Sequence, residues 1–129
     1  MASKKILIID DELDMAQMLR VILETRGYLC SIATNGRDGL QSIQNEHPAL
    51  VTLDYMMPGM TGAEMFRQLR TNETFTTVSD TPVIMLTAKS DNEEEQKELL
   101  SLGLAAYLIK PFSYTILLQK IDETLKNRK

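Results

Sequence analysis

The chain has 129 residues, 43% of them hydrophobic, a net charge of −4 at pH 7, one cysteine and one histidine. That length suits a single compact domain over residues 1–129, with a core large enough to need no disulfide staples. One cysteine excludes an internal disulfide, the lack of a Cys/His cluster excludes structural zinc, and the acidic balance argues against non-specific nucleic-acid binding by this domain.

Lys4 and Lys5 precede an apolar run, Lys5 to Ile9, that is too short for a signal peptide, and no window approaches the length that spans a bilayer. The expectation is a cytoplasmic protein with no membrane contact. The run ends at Asp10 and Asp11, and from Leu13 onward Met15, Leu19, Ile22 and Leu23 recur at helical spacing up to Gly27, which reads as strand then helix. Tyr28 to Ile32 reads as a second strand holding Cys30 as a small core residue. A short helix from Gly36 to Glu46 points Leu40 and Ile43 inward, and His47 falls in a surface loop before Pro48.

Leu50 to Leu53 has the β-branched, apolar character of a strand buried on both faces, and it closes on Asp54. A bare carboxylate at the end of a core strand needs a reason, because burial disfavours its charge. It is not a helix cap. The next helix opens at Thr61, whose spacing to Glu64 fits a capping box, and runs from Gly62 to about Arg70 with Met65, Phe66 and Leu69 on one face. Thr71 to Thr81 reads as an exposed connection.

Pro82 opens a fourth strand, Val83 to Leu86, ending at Thr87 and Ala88. Ser90 or Asp91 can cap the following helix, whose first turn carries Glu93, Glu94 and Glu95. Its apolar face is thin, with Leu99, Leu100 and Leu102 nearly all it offers, so this helix should shift easily. A fifth strand, Ala105 to Ile109, leads to Lys110 and Pro111. The last helix shows Tyr114, Leu117, Leu118, Ile121 and Leu125 at core spacing, with Lys126, Arg128 and Lys129 complementing its C-terminal dipole.

Five repeats of strand then helix imply an α/β doubly wound fold, a parallel sheet covered on both faces. In such sheets ligands sit beyond the carboxyl ends of the strands. Those ends carry Asp10, Asp11, Asp54, Thr87 and Lys110, so three carboxylates, a hydroxyl and an ammonium converge. Two carboxylates about 4 Å apart repel by about 4 kcal/mol at the effective dielectric near a protein surface, which calls for a cation. Hard oxygen ligands favour Mg²⁺ (or Mn²⁺). An aspartate nucleophile, a divalent cation and a lysine are the parts that receive a phosphoryl group. No glycine-rich loop follows the first strand, which argues against a dinucleotide.

Four segments, IIDDE at Ile8 to Glu12, LDYMMPGMTG around Asp54, VIMLTA ending in Thr87 and Ala88, and YLIKPF at Tyr107 to Phe112, resemble in order the motifs of bacterial two-component response regulator receiver domains. The resemblance covers nearly the whole chain and implies a flavodoxin-like, five-stranded sheet of order 2-1-3-4-5 with five helices. It implies that Asp54 is the phosphoacceptor, charged by a phosphohistidine on a histidine kinase or histidine phosphotransfer protein. Asp11 would bind Mg²⁺ directly and Asp10 chiefly through water, with Asp54 and the backbone carbonyl of Met56 completing the protein ligands. Lys110, whose bond to Pro111 is cis in the family, would pair with the phosphoryl group.

Thr87 and Tyr107 match the family's switch pair, which reshapes the surface of the fourth helix, fifth strand and fifth helix where a downstream protein target docks. Met56 and Lys89 occupy the positions that tune self-dephosphorylation. The implied role is a switch with slow self-phosphorylation and self-dephosphorylation, not an enzyme with turnover, acting as a monomer or as a phosphorylation-dependent dimer. The ending at Lys129 is compatible with a stand-alone regulator, the reading slightly preferred, or with a domain cut from a longer protein.

Simpler readings remain beside these. Asp10 or Asp11 could cap the helix beginning near Leu13, although a cap needs only one carboxylate. Thr87 could be an ordinary strand-end hydroxyl and Tyr107 a plain core tyrosine. The eight methionines need no cofactor, since gap-filling explains them. Two other functions stay open: an aspartyl-phosphate hydrolase of the haloacid-dehalogenase kind, which places a second Asp where this chain has Met56, and a phosphorylation-independent interaction module.

Overall fold

The computed structural model describes residues 4–88 and 92–127. Five strands form one parallel sheet: β1 (Lys5–Ile9), β2 (Leu29–Ala33), β3 (Leu50–Asp54), β4 (Val83–Thr87) and β5 (Ala106–Ile109), in the order β2-β1-β3-β4-β5. The expected strand order and fold class are both observed. The helices are α1 (Leu13–Glu24), α2 (Gly36–Glu46), α3 (Gly62–Thr71), α4 (Glu93–Ser101) and α5 (Tyr114–Lys126). In β1, β3 and β4, alternate residues feed two cores. Leu7, Ile9, Val51, Leu53, Val83 and Met85 meet α2, α3 and Leu99 of α4, while Ile6, Ile8, Leu50, Ile84 and Leu86 meet α1 and α5. Strands buried on both faces, as β3 and β4 are at every position, are what a sheet covered on both sides demands.

Several boundaries differ from the sequence reading, each for a local reason. The second strand starts at Leu29 and reaches Ala33, because Gly27 holds φ +88 and ends the turn that follows α1. On α1 the buried stripe is Ala16, Leu19 and Leu23, whereas Met15 is exposed: a small alanine lets the helix approach the sheet, and periodicity in large residues overlooks it. Cys30 is only half-buried, since β2 is an edge strand with one neighbour. The Thr71 to Thr81 segment is not a plain exposed connection. It contains a 3₁₀ helix, Glu73–Val78, that buries Phe75 and Val78.

The capping box of Thr61 and Glu64 is present, with Glu64 N donating to Thr61 Oγ1 at 3.1 Å and Thr61 N donating to Glu64 Oε1 at 3.2 Å. The cap of α4 is Asn92, whose Oδ1 accepts from Glu95 N at 2.9 Å. The candidate caps Ser90 and Asp91 lie outside the described residues. Leu99 is the buried residue of α4 and Leu100 is exposed, so its apolar face is thinner still than the pattern suggests.

Candidate functional site

Register brings the site together. Ile9 pairs with Leu53, so Asp10 and Asp54 follow at the same level on adjoining strands, and Asp54 itself pairs with Leu86, one residue before Thr87. Oxygens of Asp10, Asp11 and Asp54 lie within 4.8 Å of one another. Asp10 and Asp54 are buried and Asp11 is exposed. Asp10 turns back to accept a bond from Glu12 N at 2.9 Å, while the N-cap of α1 is Glu12, with no side-chain capping bond. Neither acid of the pair therefore occupies the capping position.

Lys110 stands two strands away from Asp54, a gap of roughly 10 Å at the usual strand spacing. Its long side chain crosses above β4, and Nζ donates to Asp54 Oδ1 at 2.6 Å. The backbone at that point is fixed by Lys110 N donating to Thr87 O at 2.6 Å, and the Lys110–Pro111 peptide bond is cis. Thr87 is buried and Tyr107 half-buried, and both line a mainly apolar cavity of about 340 Å³ with Tyr55, Met56, Ala88, Asn92 and Glu95. The Met56 side chain is 65% exposed. Lys89 lies outside the described residues.

Electrostatics mark the cluster as short of positive charge. Burial pushes the Asp10 carboxyl up to about 6, the neighbouring Asp54 and Asp11 adding to it and the Glu12 N–H and Lys110 opposing. Burial also raises Asp54, outweighing the hydrogen bond and charge of Lys110. For Lys110, burial alone would lower the value, but the bond to Asp54 and the charges of Asp54, Asp10 and Glu12 prevail and raise it. Among the described residues, the Lys110 ammonium stands against three clustered carboxylates, an oxygen donor set that fits a hard divalent cation, with Asp10, Asp11 and Asp54 as the groups that could hold it.

The response regulator receiver domain family matches residues 6–122. The chain belongs to that family. Among curated relatives, the receiver is 40% identical over 126 residues to the phosphate regulon transcriptional regulatory protein PhoB of Pseudomonas aeruginosa, covering 98% of this chain and 53% of that protein. It is 36% identical over 124 residues to the response regulator ArlR of Staphylococcus saprophyticus, covering 96% of this chain and 53% of that one. The receiver thus spans about half the length of the curated relatives it matches.

Solved structures agree on the fold. The receiver domain of a Francisella response regulator superposes with a TM-score of 0.85 at 31% identity, over 98% of this chain and 100% of that one. A CheY-like receiver domain protein from Methanospirillum hungatei gives 0.85 at 32% identity, over 96% and 94%. Among the described residues no helix is long and apolar enough to cross a membrane.

Sequence reasoning missed the contacts that surround this site. Tyr55 donates to Glu95, Glu95 pairs with Arg67, and Arg70 reaches four backbone carbonyls, those of Leu102, Ser79, Thr81 and Gly103. Arg67 and Arg70 sit three apart on α3, a spacing that reports a shared helix face, yet nothing in the sequence says what that face meets. Gly62 is a further case: a Cβ there would lie 2.5 Å from the Asp54 carbonyl oxygen.

Proposed function

We propose that this chain is a phosphoryl-accepting switch in a two-component relay, with residues 1–129 acting as one receiver unit and Asp54 as the phosphoacceptor. The observation that carries the reading is the 2.6 Å contact between Lys110 Nζ and Asp54 Oδ1 beside the three-carboxylate cluster. In the transfer, an Asp54 carboxylate oxygen attacks phosphorus as the N–P bond of a phosphohistidine breaks, and the imidazole of the donor leaves. Lys110 orients the carboxylate and then holds a phosphoryl oxygen, and the Thr87 hydroxyl donates to another. A divalent cation, Mg²⁺ or Mn²⁺, held by Asp10, Asp11, Asp54 and the Met56 carbonyl would neutralise the carboxylates and the incoming phosphoryl oxygens.

The partners that fit are a histidine kinase or histidine phosphotransfer protein upstream, and downstream a protein target on the α4, β5 and α5 surface, with no direct nucleic-acid contact by this domain. The cavity beside Thr87 offers room for Tyr107 to turn inward once the hydroxyl engages a phosphoryl group. Incubation with Mg²⁺ and acetyl phosphate tests the proposal. The expected result is a slow mass gain of one phosphate that Asp54→Asn abolishes. Rapid release of inorganic phosphate would make the protein a hydrolase, and no mass change would make it an interaction module.

A further inference from the structure

The residue that follows Asp54 is tied to α4 by bonds that do not involve Thr87 or Tyr107. Tyr55 has its backbone pinned on both sides, its N–H donating to Leu86 O at 2.8 Å and its carbonyl accepting from Gly62 N at 2.8 Å. Its phenol donates to Glu95 Oε1 at 2.6 Å, and Glu95 lies in the first turn of α4. The other oxygen of Glu95 accepts from Arg67 Nη2 of α3 at 2.9 Å, and Arg67 also donates to both oxygens of Glu98 at 2.8 Å. The Glu95 side chain is 17% exposed, which sets this pair apart from surface ion pairs that water weakens. Tyr55 and Glu95 also line the cavity that Thr87 and Tyr107 share.

We propose that Tyr55, Glu95 and Arg67 form a second relay, in which Glu95 is a positioning residue that ties α4 to the loop leaving Asp54. A phosphoryl group on Asp54 then acts on α4 through Tyr55 as well as through Thr87 and Tyr107. The physical case is stiffness at one end and looseness at the other. Tyr55 cannot shift without disturbing two backbone bonds at the end of β3, whereas α4 has Leu99 as its buried residue and depends on polar contacts for its place. A displacement of the loop is therefore carried by the phenol to the carboxylate of Glu95, and coupling of this kind acts equally in both directions.

The inference rests on the receiver reading, and the experiment separates the two. Beryllium fluoride with Mg²⁺, a phosphoryl mimic, is bound to the parent protein and to Tyr55→Phe, and binding is followed by fluorine NMR. Amide hydrogen exchange of residues 93–101 is then compared with and without the mimic. In the parent the mimic changes exchange across α4. In Tyr55→Phe the mimic still binds, but the change in α4 shrinks by about tenfold, the factor that a lost hydrogen bond to a charged group carries. Glu95→Ala gives the same loss. Tyr28→Phe removes another tyrosine-to-carboxylate bond, that to Asp122, and leaves the α4 response intact. An undiminished α4 response in Tyr55→Phe overturns the relay, as does failure of that variant to bind the mimic, which would make Tyr55 part of the pocket itself. Failure of the parent to bind the mimic overturns the receiver reading instead.

Discussion

Asp10 is charged at neutral pH against its local preference, and replacing it should stabilise the metal-free protein. The side chain is 8% exposed and its carboxyl is pushed up to about 6, burial being the largest cause. An acid whose folded pKa exceeds its unfolded value holds its proton more tightly when folded. Its contribution is therefore full below about pH 4, is lost as pH rises through about 6, and stays lost above. A rise of about two pKa units corresponds to about 3 kcal/mol, and local relaxation around a partly solvated group leaves roughly 1–2 kcal/mol. Asp10→Asn keeps an oxygen to accept from Glu12 N, a bond of 2.9 Å, and removes the charge. Urea denaturation at pH 7.5 in a chelator should show the variant about 1–2 kcal/mol more stable, with the gain gone at pH 4. Saturating Mg²⁺ should reverse the order by stabilising the parent more. A variant no more stable than the parent at pH 7.5 without metal would refute the reasoning.

Other substitutions probe the frame around the site. Gly62→Ala places a Cβ 2.5 Å from Asp54 O and 3.0 Å from Tyr55 Cα, so it should cost about 2–3 kcal/mol in urea denaturation and weaken Mg²⁺ affinity by displacing the Asp54 backbone. Thr52 Oγ1 is buried with no hydrogen-bond partner, so Thr52→Val should raise the unfolding free energy by about 1 kcal/mol, read as a higher urea midpoint with an unchanged m-value. Met56→Asn supplies an amide that can orient an attacking water, and mass spectrometry of the phosphorylated form should show a shorter lifetime than in the parent. An equal lifetime would assign no role in dephosphorylation to this position.

What the sequence disclosed and what it withheld follow from the range of each interaction. The strands of this sheet were readable because each core strand is a run of apolar residues closed by a polar one, and their ends then named Asp10, Asp11, Asp54, Thr87 and Lys110 without any knowledge of contacts. Helices were readable where large residues carry the packing, as in Met65, Phe66 and Leu69. They were misread where a small residue does, as with Ala16 on α1. The 3₁₀ helix escaped notice because Phe75 and Val78 stand three apart in a threonine-rich stretch, too few for a period to declare itself. Contacts such as Tyr55 to Glu95, forty residues apart, depend on how α4 is laid against the sheet, and no local pattern encodes that.

The same contrast decides which helix can move. Burying a leucine or isoleucine is worth about 1.5–3 kcal/mol, so α5, with Leu117, Leu118, Ile121 and Leu125 inside, is held by roughly 6–12 kcal/mol of apolar contact. For α4, Leu99 contributes about 2 kcal/mol, and the bonds from Tyr55 and Arg67 to Glu95 add a few more. Carrying a two-state population from 1:99 to 99:1 takes about 5.5 kcal/mol. On the proposal that Asp54 is phosphorylated, a bias of that size would match the anchoring of α4 and fall short of that of α5. On that proposal α4, with Leu99 as its buried residue, is the helix that a charge change at Asp54 would reposition before α5, which buries four.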